Sequence, residues 1–232
     1  MPYTGITPEA LFLLSQNRFE DSKEFYDAHK AQLKSQAFTP LSQIMEALAD
    51  DFSCLDPSML LNPSKMMSRV RRDTRFTKEK HMYRDEAWLM FMRPKSEHPF
   101  LWPCMWFEIK PGEGFWSAGV CGYEQTPKLM QFLRNCIAEQ PEEFLAAAQS
   151  AIAGGAVMEA ESYKKDRAPD APEHLKAYLN AKSFVFIHRS YDLALLEGEA
   201  LIDRLRAFYI ACHPMYRWLM NAAEEFIAEG IS

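Results

Sequence analysis

Residues 105–123 carry a pattern that few folds can absorb. Met105, Phe107 and Ile109 alternate with Trp106, Glu108 and Lys110, the period-two spacing of a strand with two unlike faces. Pro111-Gly112-Glu113-Gly114 follows as a turn, and Phe115 to Tyr123 reads as the returning strand of a hairpin. Gly119 and Gly122 in that strand mark a bulge or a close backbone approach. Ala87 to Met92 is continuously apolar, the expectation for a strand covered on both faces. Phe184 to Ile187 reads as a further strand, with Ser68 to Arg72 and Val157 to Tyr163 as weaker candidates.

Helices surround this strand-rich middle. Thr7-Pro8, Thr39-Pro40 and Thr126-Pro127 each precede an amphipathic run, threonine capping the free N–H groups and proline fitting the first helical position. Leu41, Ile44, Met45, Leu48 and Phe52 recur at helical spacing after the second pair, and Leu129, Met130, Leu133 and Ile137 after the third. Leu201 to Cys212 forms a strong C-terminal helix, which His213-Pro214 is expected to interrupt before a second one. Runs segregated in this way predict an α+β fold, a largely antiparallel sheet packed against N-terminal, central and C-terminal helices. A doubly wound parallel sheet needs a regular alternation that is not there.

With no linker, repeat or low-complexity run to divide it, the chain reads as a single domain over residues 1–232. Its 48% apolar and 25% charged content is ordinary for a globular protein. The N-terminus lacks the pattern of a signal peptide, and no apolar stretch is long enough to cross a bilayer. Five scattered cysteines (Cys54, Cys104, Cys121, Cys136, Cys212) suit reduced thiols, so the expected location is cytoplasmic, with no membrane partner.

Charge is unevenly spread. Between Lys65 and Arg84 eight basic residues meet two acidic ones, so this stretch carries +6 and the rest −12 of a net −6. The acidic remainder argues against extended nucleic-acid binding. The basic island suits a small anion instead, because arginine can hold phosphate or carboxylate through two parallel hydrogen bonds. Asp73, beside Arg72 and Arg75, could orient one guanidinium and leave the other available, while Thr74, Thr77 and Tyr83 add hydroxyls. The same residues equally suit a structural ion-pair network, since Arg–Asp clusters often tie a loop to the body of a protein.

Arg69-x-x-Arg72-Asp73-Thr74-Arg75-Phe76-Thr77-Lys78-Glu79-Lys80, followed by Tyr83, resembles the signature of the domain-of-unknown-function 2461 family. Phe12 to Asn17, Phe25-Tyr26 and His29-Lys30 are similar to its N-terminal helices. Phe107-Glu108-Ile109 with Gly119 and Tyr123 is similar to its central hairpin, and Tyr163-Lys164-Lys165 and Ala181-Lys182-Ser183 to its later basic motifs. Met82 stands where many relatives carry proline. The resemblance implies no activity, catalytic residue or cofactor. Were Lys164, Lys165 and Lys182 brought beside Arg72 and Arg75, four or more cations would converge, an arrangement that calls for an anion or several carboxylates.

Other chemistry has little support in the sequence. The six histidines and five cysteines show no metal-ligand spacing, so no metal is expected. There is no nucleophile elbow, phosphate loop or dinucleotide fingerprint. Glu108 is a general-base candidate only if it faces the cationic site. Trp106 and Trp116 are expected on Glu108's face, where they could stack on a ring. The expected function is binding of a phosphate- or carboxylate-bearing ligand by Arg69, Arg72, Asp73, Arg75, Lys80, Tyr83, Glu108, Lys164 and Lys182. The alternative is an interaction or scaffold domain whose Arg/Asp cluster is structural. Exchanging Arg75 for alanine separates the two.

Overall fold

A computed structural model describes residues 2–75, 78–94, 101–122 and 125–230. Phe76, Thr77, His98 and Tyr123, on which parts of the sequence reading drew, lie outside the described residues. The helices are α1 (Pro8–Glu20), α2 (Lys23–Leu33), α3 (Thr39–Ala47), α4 (Ala49–Leu55), α5 (Pro63–Met66), α6 (Pro127–Glu139), α7 (Pro141–Ala153), α8 (Glu173–Leu179) and α9 (Ala200–Ala228). The strands are β1 (Ala87–Phe91), β2 (Pro103–Lys110), β3 (Phe115–Gly122), β4 (Val157–Ser162) and β5 (Ala181–Ser190). They form one antiparallel sheet in the order β1-β2-β3-β5-β4, so the fold is α+β.

The hairpin of β2 and β3 closes through a short 3-10 turn at Pro111–Glu113, and Gly114 takes the left-handed φ of 74° that the turn requires. Thr7 and Thr126 cap their helices as expected, accepting from the backbone N–H of Ala10 and Leu129. Thr39 does not. A π-helical stretch, Lys34–Phe38, runs from α2 straight into α3, so no free helix start remains for Thr39 to cap. β1 alternates buried and half-buried residues rather than being covered on both faces, as suits a strand at the end of the sheet order. Among the described residues Ser68 to Arg72 forms no strand: Arg71 makes an isolated bridge with Tyr83, and Met67, just before the stretch, one with Leu89.

The chain falls into two compact units, each assembled from three separated stretches. The first comprises residues 1–91, 106–118 and 189–206, the second 92–105, 119–188 and 207–232. In the first, Leu14, Leu41, Ile44, Leu48 and Phe52 are buried, Phe52 stacking on Phe91 at 4.0 Å. Trp116 lies fully buried 5.9 Å from Phe107, its Nε1–H donating to the Asp192 carbonyl at 3.0 Å. It therefore faces the core, opposite to Glu108, which corrects the expected shared face for Trp116; Trp106 keeps the phase of Glu108 in β2. Period two places Trp116 there, because Ser117, its neighbour, is the residue that reaches Glu108.

In the second unit Phe144 sits edge-on to Tyr178, Phe184 and Trp218 at 4.7, 6.0 and 4.8 Å. Pro214 does not end the C-terminal helix: α9 continues through it. A proline in a helix removes one N–H and crowds the carbonyls of the preceding turn. Here the Ser150 hydroxyl of α7 donates to the Ala211 carbonyl at 2.8 Å, which supplies a partner on that turn. No helix among the described residues is long and apolar enough to cross a membrane.

Candidate functional site

The basic island lies in the first unit, and among the described residues three of its eight cations, Arg72, Arg75 and Arg84, are met by carboxylates. Glu79 joins Arg18 of α1, at 2.5 Å, to Arg72. Glu86 lies 3.8 Å from Arg72 and 3.0 Å from Arg84, whose guanidinium stacks 4.6 Å over Trp88. Burial alone would raise the Glu79 carboxyl, but Arg72 and Arg18 outweigh it and hold the group below its usual range. Asp73 spends both carboxylate oxygens on Arg75, at 2.9 and 2.7 Å, and this hydrogen bonding brings its pKa down to about 2. Asp73 thus holds Arg75, while Arg72 turns to Glu79 and Glu86.

Of the remaining candidates in this unit, Lys80, Tyr83 and Glu108 have local partners. Lys80 Nζ donates to the Thr74 carbonyl at 3.1 Å, and Tyr83 is buried against Tyr26 at 5.0 Å. Arg69 is exposed. Glu108 is half-buried, 3.4 Å from the Ser117 hydroxyl and 4.0 Å from Lys110. Burial, opposed by Lys110, raises its carboxyl above the usual range. Asn17 is wholly buried, and its carboxamide, like Nε of Arg72 and of Arg84, makes no hydrogen bond among the described residues.

Lys164 and Lys182 belong to the second unit, where a different arrangement surrounds them. Tyr163 stands just beyond β4, and three cations approach its ring: Arg167 at 3.9 Å, Arg134 at 5.5 Å and Lys182 at 5.7 Å. Together with Lys164 and Lys165 they line a cavity of ≈ 880 Å³. Arg134 is the unusual member. It projects from α6 and is buried, donating to the Ala181 carbonyl at 2.7 Å and to Gln131 Oε1 at 3.0 Å. No carboxylate pairs with Arg134, Lys164, Lys165 or Arg167 among the described residues.

Local structure explains how these groups are placed. The β4–β5 register shifts between Glu161 and Ser162, pairing Glu161 with Ser183 and Ser162 with Ala181, so Lys182 is the extra residue of a bulge. Bulges re-aim side chains and commonly lie beside sites. Lys182 reaches Glu161 at 2.6 Å. Asn180, at the end of α8, ties down the loop after β4. Its carbonyl accepts from Tyr163 N–H at 3.0 Å, its Oδ1 from Arg167 N–H at 2.7 Å, and its Nδ2 donates to Asp166 at 2.8 Å. Asp166 also accepts from Ala168 N–H, the main reason its carboxyl titrates below the usual range. Asp166, the single acid among the described residues of this lining, is thus engaged in holding the loop.

Arg134, Arg167 and Asn180 escaped the sequence reading. Arg134 did carry a signal: it falls four residues after Met130 and three before Ile137, within the apolar face of its helix. No such pattern marks Asn180, whose role depends on the fold of the loop. Among the described residues no group of three or more His, Cys, Asp or Glu side chains could hold a metal ion.

These features define an α+β protein with Arg18, Arg72, Arg75 and Arg84 paired to carboxylates in one unit and, in the other, a cavity whose Arg134, Lys164, Lys165 and Arg167 have no carboxylate partner among the described residues. The chain belongs to the family described as conserved hypothetical protein (DUF2461), whose model matches residues 9–218. No curated protein and no solved structure matches it.

Proposed function

We propose that the protein binds a small phosphate- or carboxylate-bearing ligand in the cationic cavity around Tyr163. The observation that carries this reading is the buried Arg134 guanidinium, which has hydrogen-bond acceptors but no carboxylate among the described residues, beside three exposed cations, Lys164, Lys165 and Arg167, that also lack a carboxylate partner there. Burying a guanidinium is costly unless its charge is offset, and a bound anion supplies the offset. The planar forks of Arg134 and Arg167 suit phosphate or carboxylate oxygens, and Lys164 and Lys165 add point charges.

The arginine-rich stretch of the first unit supports the structural reading instead. Arg72 is engaged by Glu79 and Glu86, and Arg75 by both oxygens of Asp73. The two readings predict different responses. In a thermal-shift titration with inorganic pyrophosphate at low salt, the parent protein gains a few degrees, about 2.7 kcal/mol of stabilisation at 100 times the dissociation constant. The Arg167→Ala/Lys165→Ala variant loses most of that gain, and Arg75→Ala keeps it. A shift abolished by Arg75→Ala but not by the double variant would move the site to the first unit.

A further inference from the structure

A second cavity, of ≈ 600 Å³, shares Tyr163 and Lys182 with the cationic one. Its other walls among the described residues include Cys121, Gln125, Ser183 and Val185, all uncharged groups, and its one acid is Glu161. Gln125 is fully occupied as a neutral wall: its amide accepts from Phe184 N–H at 2.7 Å and donates to the Phe184 carbonyl at 2.6 Å, mimicking a strand residue. The lining therefore changes across Tyr163 and Lys182, from cations without acidic partners to neutral groups and the Glu161 carboxylate, one oxygen of which is held by Lys182 at 2.6 Å.

Two properties of the ligand follow. Arg134 is buried, and the exposed Lys164, Lys165 and Arg167 beside it likewise lack a carboxylate partner among the described residues, so a diphosphate can engage several of these cations at once where a monoanion engages one or two. Either cavity by itself falls in the size range of small-molecule sites, so a bare inorganic ion would leave the neighbouring one unused. Glu161, paired with Lys182 through one oxygen, keeps lone pairs that accept from hydroxyl groups, while the cations without carboxylate partners all line the other cavity, which sets the direction in which such a molecule lies.

Building on the anion site above, we propose that the ligand is an organic diphosphate, its diphosphate held in the cationic cavity and its uncharged, hydroxyl-bearing body seated beyond Tyr163 and Lys182 against Glu161. A nucleoside or sugar diphosphate has this chemistry. The body adds affinity that pyrophosphate of similar charge cannot reach.

The test is calorimetric titration at low salt with inorganic pyrophosphate, adenosine diphosphate and adenosine. Adenosine diphosphate is expected to bind at least about tenfold more tightly than pyrophosphate, a difference of about 1.4 kcal/mol, and adenosine not measurably. Ser183→Phe fills the second cavity and is expected to reduce the diphosphate ester to the affinity of pyrophosphate, whose own binding is unchanged. Val185→Phe provides the same block from another position, and retained pyrophosphate binding reports that either variant is folded. Equal affinity for the ester and pyrophosphate in the parent protein overturns the placement of the body while leaving the anion site standing. An advantage that survives both blocking variants overturns it as well. Failure of pyrophosphate itself to bind overturns both readings.

Discussion

Asp21 shows how much of the first unit rests on one carboxylate. Its backbone is left-handed, φ 41°, and its N–H closes α1 on the Asn17 carbonyl at 3.2 Å. Oδ1 accepts from the N–H groups of Met82 and Tyr83 at 2.7 and 3.0 Å, and Oδ2 lies 3.3 Å from His81. Asp21→Ala removes two charge-assisted bonds, strands two amides and places a Cβ-bearing residue without side-chain compensation at positive φ, so a loss of about 2–4 kcal/mol is expected in urea denaturation. Asp21→Asn, which tolerates the conformation and keeps an acceptor, loses clearly less. Glu108 gives the residue-scale pH prediction. Its carboxyl is raised in the folded state by burial, so just above the ordinary carboxylate range the native state binds more protons than the unfolded one. Its contribution to stability therefore declines as pH rises through its raised folded value. Glu108→Gln is expected to be more stable than the parent at pH 7, with the advantage shrinking as the pH is taken below the ordinary range; a pH series of denaturation midpoints measures it. At this scale the sequence was legible in composition but not in partnership. Arg72 and Arg75 are recognisable as groups that grip carboxylates, yet whether the carboxylate is a ligand's or Glu79's depends on a chain reversal that residue types do not encode.

Elements were read more securely than contacts, for a physical reason. Period two and period 3.6 are properties of the local chain, so the hairpin and the α6 face could be seen directly. Thr7 and Thr126 cap because the chain enters their helices from extended backbone. Thr39 looked identical and failed because the preceding residues are themselves helical. Pro214 continues the helix in a tertiary setting: Ser150 donates to the carbonyl of Ala211, sixty-one positions on, in the turn that proline disturbs. This makes a coupling prediction. Ser150→Ala is expected to cost about 1–1.5 kcal/mol with Pro214 in place, the usual worth of one hydrogen bond. In a Pro214→Ala background the ring no longer crowds the carbonyls of the preceding turn, the Ala211 carbonyl relaxes onto its regular helix partner four residues on, and the same substitution should cost measurably less. A double-mutant cycle giving purely additive effects would separate Ser150 from the proline.

At the scale of the molecule, the sheet order leaves two outer strands, and the sequence protects them by different means. β1 is partly covered by the segment before it: Ser68 N–H donates to the Trp88 carbonyl at 2.9 Å, and Ser68 Oγ accepts from Trp88 N–H at 3.1 Å. β4 has another protection. Val157, Glu159 and Glu161 alternate along one exposed face, and Val157 is 64% exposed. Unpaired strand edges recruit other chains unless they are covered or charged, and inserted carboxylates are a common defence. The −12 carried outside the basic island thus has a local use here, in addition to keeping molecules apart. Replacing both acids by valine would create a strand of high β-propensity with an apolar exposed face. Glu159→Val/Glu161→Val is therefore expected to self-associate, eluting at higher mass than the parent at the same concentration or sedimenting as larger species. Glu159→Lys/Glu161→Lys reverses the charge without making the face apolar, and it should behave like the parent. Association of the lysine variant to the same extent would trace the effect to Lys182, which loses Glu161 in both variants, and would remove the edge from the explanation.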